Sequence, residues 1–151
     1  MTEYQADRQQ DIEKITRLIS RVVTQGNNDM LLKPINLQEV EEAMNQMAPR
    51  KVPAPDGFPS NFFHHLWDLI KHEVWEIVEE SRKSQGILKY FNTTFLFLFL
   101  KVEGSDTPRN FIPISLCNMI YKIISKVIAS RLNPILPRLI SIENLGFVEG
   151  R

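Results

Sequence analysis

An α+β fold, mostly helical with a short antiparallel β-hairpin, is what this sequence predicts. Apolar residues recur at helical spacing through most of the chain. A continuous run of threonine, phenylalanine and leucine from Thr93 to Lys101 breaks that period. A second apolar run, Phe111 to Leu116, follows it across a stretch rich in turn residues.

The first helix is expected over Gln9 to Val23, where Ile12, Ile15, Leu18, Ile19, Val22 and Val23 keep helical spacing. Gln25-Gly26-Asn27-Asn28-Asp29 reads as the turn that ends it. Asn36 is the expected N-cap of a second helix, and Glu39 three residues on completes a capping-box pattern. Leu37, Val40, Ala43, Met44 and Met47 give that helix its apolar stripe, and Pro49 closes it. Residues 49–59, PRKVPAPDGFP, are too rich in proline for any regular element, and Asp56-Gly57 reads as a turn with glycine at positive φ. A long helix follows, about Pro59 to Ser84, with proline tolerated in its first turn. Phe62, Leu66, Leu69, Ile70, Val74, Ile77 and Val78 are its expected apolar side. Asp68, Lys71, Glu76 and Glu79 are its expected solvent side, and Gly86 its stop.

Length and composition make Thr93 to Lys101 a buried strand, paired with Phe111 to Leu116 across the Glu103–Asn110 turn. From Asn118 the helical period returns through Ile120, Ile123, Ile124, Val127, Ile128, Leu132, Ile135 and Leu136. Pro134 and Pro137 break or kink that helix near Asn133.

Composition narrows the function classes. The chain's 151 residues make one domain's worth of core, with the 43% hydrophobic and 24% charged content of a soluble globular protein. Cys117 is the one cysteine, so an intrachain disulfide and a cysteine-cluster metal site are excluded and a reducing compartment is expected. The polar N-terminus is no secretory signal, and Phe95 to Leu100 is far shorter than a membrane span. A cytoplasmic or nuclear protein without membrane contact is therefore expected. Net charge is +0, yet residues 1–100 hold 11 Lys/Arg against 14 Asp/Glu and residues 101–151 hold 7 against 4. A protein that grips phosphate backbones concentrates positive charge on one surface. Here the bias toward the C-terminal third is weak, and charge alone favours a neutral soluble domain.

Two stretches are more specific than composition. One is APDGFPSNFF at Ala54 to Phe63. The other is FNTTFLFLFLKVEGSDTPRNFIPISLCNMIYKIISKVIASRLNPILPRLISIENLGFVEGR at Phe91 to Arg151. Together they resemble the front end of the reverse transcriptase of non-LTR (LINE-type) retrotransposons, most like those of plants. That family's blocks read roughly APGPDGF, NxTxIxLIPK, FRPISLxNxxYKIxxKxLAxRL and QxGFxxGR, in this order and at close to this spacing. Residues 27–53 are similar to the family's lead-in helix.

The resemblance implies one truncated domain, with a helical lead-in at 1–53 and a fingers part at 54–151, and with palm and thumb absent. It implies RNA-directed DNA polymerase ancestry, with an RNA template, a DNA primer, deoxynucleotides and, for the full-length enzyme, magnesium. Nucleotidyl transfer needs clustered carboxylates to hold two metal ions. Asp56, Asp68 and Asp106 are scattered and no Asp-Asp pair occurs. The chain itself is thus expected to hold no catalytic residue and no cofactor, and to be inactive alone.

Lys101 matches the lysine of LIPK, so the resemblance implies a contact with the incoming nucleotide's phosphates, a task suited to a compact point charge. A solvated lysine at a strand end is the bland alternative. Arg151, closing the GR block, is the second nucleic-acid-binding candidate. Ile112 stands where FRPISL has its arginine and can neither carry charge nor donate a hydrogen bond. Arg109 lies nearby but three positions off register. Ala54, Leu100 and Asn144 also depart from the family pattern, as in a decaying copy.

Other residues have simpler readings. His64, Asp68 and His72 share a helical face at metal-ligand spacing, but a solvated polar face is the simpler account. Trp67 and Trp75 read as core rather than as base-stacking platforms, and Cys117 as a small buried residue. A retained RNA- or protein-binding module and a non-functional relic remain as alternatives to an inactive fragment. Clustering of Lys101, Lys122, Lys126, Arg131 and Arg138 on one surface would favour the binding module. An uncovered Phe95–Leu100 strand also predicts poor solubility or oligomers.

Overall fold

The computed structural model describes residues 12, 14–16, 22–49, 53–101, 104, 107–141 and 143. It has the expected α+β architecture, helices with a two-stranded antiparallel sheet. Two compact units divide the chain: residues 33–132, and the flanks 1–32 with 133–151.

In the flanking unit, Ile12 and residues 14–16 are helical, and most of the expected Gln9–Val23 helix lies outside the described residues. Helix α1 spans Gln25–Leu32, so the segment expected to be a turn is a helix instead. The reason is local capping. Asn27 N–H donates to Thr24 Oγ1 at 3.2 Å, while the Thr24 N–H donates back to Asn27 Oδ1 at 3.0 Å. Polar side chains that bond backbone in a turn do the same work at a helix N-terminus.

The unit from 33 to 132 begins with α2, Leu37–Asn45. Its capping box is as expected: Glu39 N–H donates to Asn36 Oδ1 at 2.9 Å and Asn36 N–H to Glu39 Oε2 at 3.0 Å. Gly57 in the following turn has φ +77°, and its N–H reaches Ala54 O at 2.9 Å. Helix α3, Ser60–Ser84, has an apolar stripe rotated from the expected one. Phe63, Trp67, Val74 and Val78 are buried, with Phe62, Ile70 and Ile77 partly so, whereas Leu66 and Leu69 are exposed. Trp67 is a core residue and Trp75 packs part-buried against the core, each with its indole satisfied. Trp67 donates to Glu41 at 3.1 Å and Trp75 to Ile35 O at 2.7 Å. Helix α3 ends at Ser84, as expected. Gln85 takes the left-handed conformation, φ 55°, and Gly86 N–H caps Ser81 O at 3.2 Å.

Strands β1 (Thr94–Leu100) and β2 (Phe111–Cys117) form the hairpin, closed by a 3₁₀ turn at Pro108–Asn110. Register runs from Thr94 opposite Cys117 to Leu100 opposite Phe111. The buried strand expected here is not found: every residue of β1 is exposed. The sheet stops at two strands while α2, α3 and α4 (Met119–Leu132) pack on one another, so neither sheet face is covered among the described residues. Val40 and Met44 of α2, Val78 of α3, and Ile123 and Val127 of α4 are the fully buried apolar centre. Each stabilises the fold by about 1.5–3 kcal/mol. Ile128, expected in that stripe, is exposed. Helix α4 stops at Leu132, before Pro134 as expected, and a single turn, α5 (Leu136–Leu139), follows in the flanking unit.

Candidate nucleotide-contacting site

Ladder register decides which hairpin residues can act together. Directly paired residues of an antiparallel sheet project to the same face. Phe95, Phe97 and Phe99 therefore share a face with Leu116, Ile114 and Ile112, and Leu96, Leu98 and Leu100 share the other with Ser115, Pro113 and Phe111. The Lys101 N–H donates to Asn110 O at 2.7 Å, which carries the ladder one residue past β1. Alternation puts Lys101 on the phenylalanine face, one diagonal step from Ile112.

Lys101 is exposed, and its Nζ lies 3.4 Å from Arg109 O. Arg109 is exposed in the 3₁₀ turn, just before the start of β2. Ile112 is 45% exposed, so the position has room for a longer side chain without displacing a core contact. Glu103, Asp106 and the candidate Arg151 lie outside the described residues.

The base of the hairpin is tied to the helices by a residue that sequence reading passed over. Asn118 is 1% exposed. Its Nδ2 donates to Tyr90 O at 3.0 Å and its Oδ1 accepts Asp56 N–H at 3.3 Å. It thereby joins the APDGF turn, the approach to β1 and the start of α4. An asparagine between a strand and a helix was the available signal, since its carboxamide donates and accepts at once.

A second missed anchor is Arg131. It is a side chain at 12% exposure, giving two bonds to Glu39, at 2.7 and 2.9 Å, and others to the carbonyls of Lys33 and Pro34. The guanidinium, more than the Asn36 N–H, holds the Glu39 carboxyl below its usual range against the opposing effect of burial. Glu79, expected in solvent, is 6% exposed. It accepts Ile35 N–H at 2.9 Å and Arg82 at 2.8 and 2.6 Å. Arg82 first, then that backbone donor, draws its carboxyl down to about 2 although burial opposes this. Both pairs clamp the segment entering α2; they are structural.

The candidate basic surface is thereby reduced. Arg131 is committed to the fold, Lys122 and Lys126 are half-buried on α4, and Arg138 belongs to the flanking unit. The ladder, roughly 20 Å long at about 3.3 Å per residue, separates Lys101 from the start of α4. His64 Nε2 is 2.9 Å from Met47 O, and no three His, Cys, Asp or Glu are gathered as metal ligands among the described residues. Cys117 is half-buried and accepts from Thr94 Oγ1 at 3.2 Å. A cleft of about 620 Å³ runs beside Trp75, Glu80, Lys83 and Leu88 and contains neither Lys101 nor Ile112. Among the described residues, no helix is long and apolar enough to cross a membrane.

Comparison with known proteins supports a transposon origin for the chain. Over 130 residues it is 29% identical to "Transposon TX1 uncharacterized 149 kDa protein" of Xenopus laevis, a match that covers 86% of this chain. The chain spans 10% of the length of that relative. No protein-family model matches it.

Proposed function

We propose that this chain is the fingers part of an RNA-directed DNA polymerase, the reverse transcriptase of a non-LTR (LINE-type) transposon. On this reading residues 1–53 are its helical lead-in and residues 54–151 the fingers. The observation that carries it is the Asp56–Asn118 hydrogen bond. Two blocks read separately in the sequence, APDGF and FIPISLCN, meet through that bond. The likeness to a transposon protein supports the same origin.

Lys101 is the contact to the phosphates of an incoming deoxynucleotide, and Arg151 a second nucleic-acid contact. Position 112 once shared the first task and lost it when isoleucine replaced arginine. Template RNA and primer DNA are the partners of the polymerase, and magnesium serves it at carboxylates that these residues do not supply. The commitment of Arg131 to Glu39 weighs against a retained RNA-binding module, since it removes a cation from the surface such a module would use.

Primer extension on an RNA template with magnesium tests the reading. The 151-residue chain should give no templated product. Its RNA binding should be weak, without sequence preference, and lost on moving from low to near-physiological salt. Templated extension by this chain, or tight binding that survives that salt, would contradict it.

A further inference from the structure

We propose that the phenylalanine face of the hairpin is the surface by which two copies of this chain pair. An isolated two-stranded hairpin is marginal in water and gains independent stability when an apolar face is covered. Here neither strand contains a charged residue, and Phe95, Phe97, Phe99, Ile112 and Ile114 all stand exposed on one side. The opposite side, with Leu96, Leu98 and Leu100, is interrupted by the polar Thr94 and Ser115, so the apolar surface without a polar residue is the phenylalanine face.

Its area suits a second copy. A whole phenylalanine side chain offers about 200 Å². At roughly half exposure the three phenylalanines and two isoleucines present about 450 Å². Two such faces stacked about 10 Å apart, as packed sheets are, remove about 900 Å² from water. Leu116 and the strand edges bring the total near the ~1,000 Å² at which specific interfaces begin. Within the seven ladder pairs this face carries no charge, Lys101 lying one step beyond them, so it asks nothing of its partner except another apolar surface of the same shape. A two-fold axis supplies that. Phe97 and Ile114 form the central pair of the seven-pair ladder, so the axis passes beside them. Lys101 lies at the ladder's end, outside the stacked centre.

Sedimentation equilibrium of the 151-residue chain from about 1 to about 100 μM tests this, the range in which an interface near the lower size limit dissociates. A reversible monomer–dimer equilibrium is expected. Phe97→Lys should weaken it at least ~100-fold by burying a charge at the centre. Leu98→Lys, on the other face, should change it by less than ~3-fold. Hydrogen exchange on the unmodified chain is a readout independent of any variant's folding. Amide protection across Thr94–Leu100 should rise with protein concentration while that of α2 does not. A monomer throughout, unlimited growth to larger species, equal effects of the two lysines, or protection independent of concentration would each overturn the proposal.

Discussion

Asn118 Oδ1 accepts the Asp56 amide N–H at 3.3 Å, joining residues 62 positions apart. The same side chain donates to the Tyr90 and Phe91 carbonyls at 3.0 and 3.4 Å, so the hairpin's base is held from two directions. Asn118→Ala should lower the stability toward urea by about 1–3 kcal/mol, because it leaves the part-buried Asp56 N–H and the Tyr90 carbonyl without this partner. Asn118→Asp should cost at least as much, since a carboxylate cannot donate to those carbonyls. An unchanged urea midpoint in both variants would contradict this role.

Gln85 bears the strain at the end of α3. It is the non-glycine residue at positive φ among the described residues, φ 55°, in a position that closes a helix C-terminus. A left-handed conformation costs an L-residue about 1–2 kcal/mol, part of which glycine returns as unfolded-state entropy. Gln85→Gly should therefore stabilise the chain by about 0.5–1 kcal/mol. Thermal and urea unfolding measure this directly, and a destabilised variant would contradict the assigned backbone state.

Glu79 should make the fold acid-sensitive over a defined interval. Its carboxyl is held at about 2 by Arg82 and the Ile35 N–H, against an ordinary 4.5, so the folded chain binds this proton more weakly than the unfolded one. Its stabilising contribution is fully present above about pH 4.5 and is lost as pH falls through that value toward about 2. Glu39 is shifted the same way and reinforces the trend. Glu79→Gln should lower stability by about 1–2 kcal/mol at neutral pH and flatten the dependence below pH 4.5. An equally steep acid transition in that variant would place the sensitivity elsewhere.

How much of this was legible follows from how local each determinant is. The capping box at Asn36 and Glu39, the glycine turn at Gly57, the break before Pro134 and the antiparallel pairing of the two strands depend on near neighbours, and the sequence displays them. The phase of the α3 stripe depends on what α2 and α4 present to it. That is why Leu66 was expected inside and Glu79 outside, the reverse of what packing selects. Burial of β1 was inferred from its composition, but composition reports what a strand could bury against, not whether a cover is there. Lys101 could be placed at a strand end from sequence. Its diagonal relation to Ile112 needed the register, and Arg131's attachment to Glu39, 92 positions away, had no local sign.

The central claim is that Lys101 and position 112 descend from one triphosphate-contacting face. Titration of a deoxynucleoside triphosphate, at protein concentrations below about 1 μM where the chain is monomeric, into the chain, its Ile112→Arg variant and the Ile112→Arg/Lys101→Ala double variant tests it most directly. A second cation beside Lys101 contributes a charge-assisted contact to phosphate. Arginine at 112 should tighten binding about 10-fold, and Lys101→Ala should remove most of that gain, because the two cations share one ligand. No change on restoring arginine, or a gain indifferent to Lys101, would contradict the account.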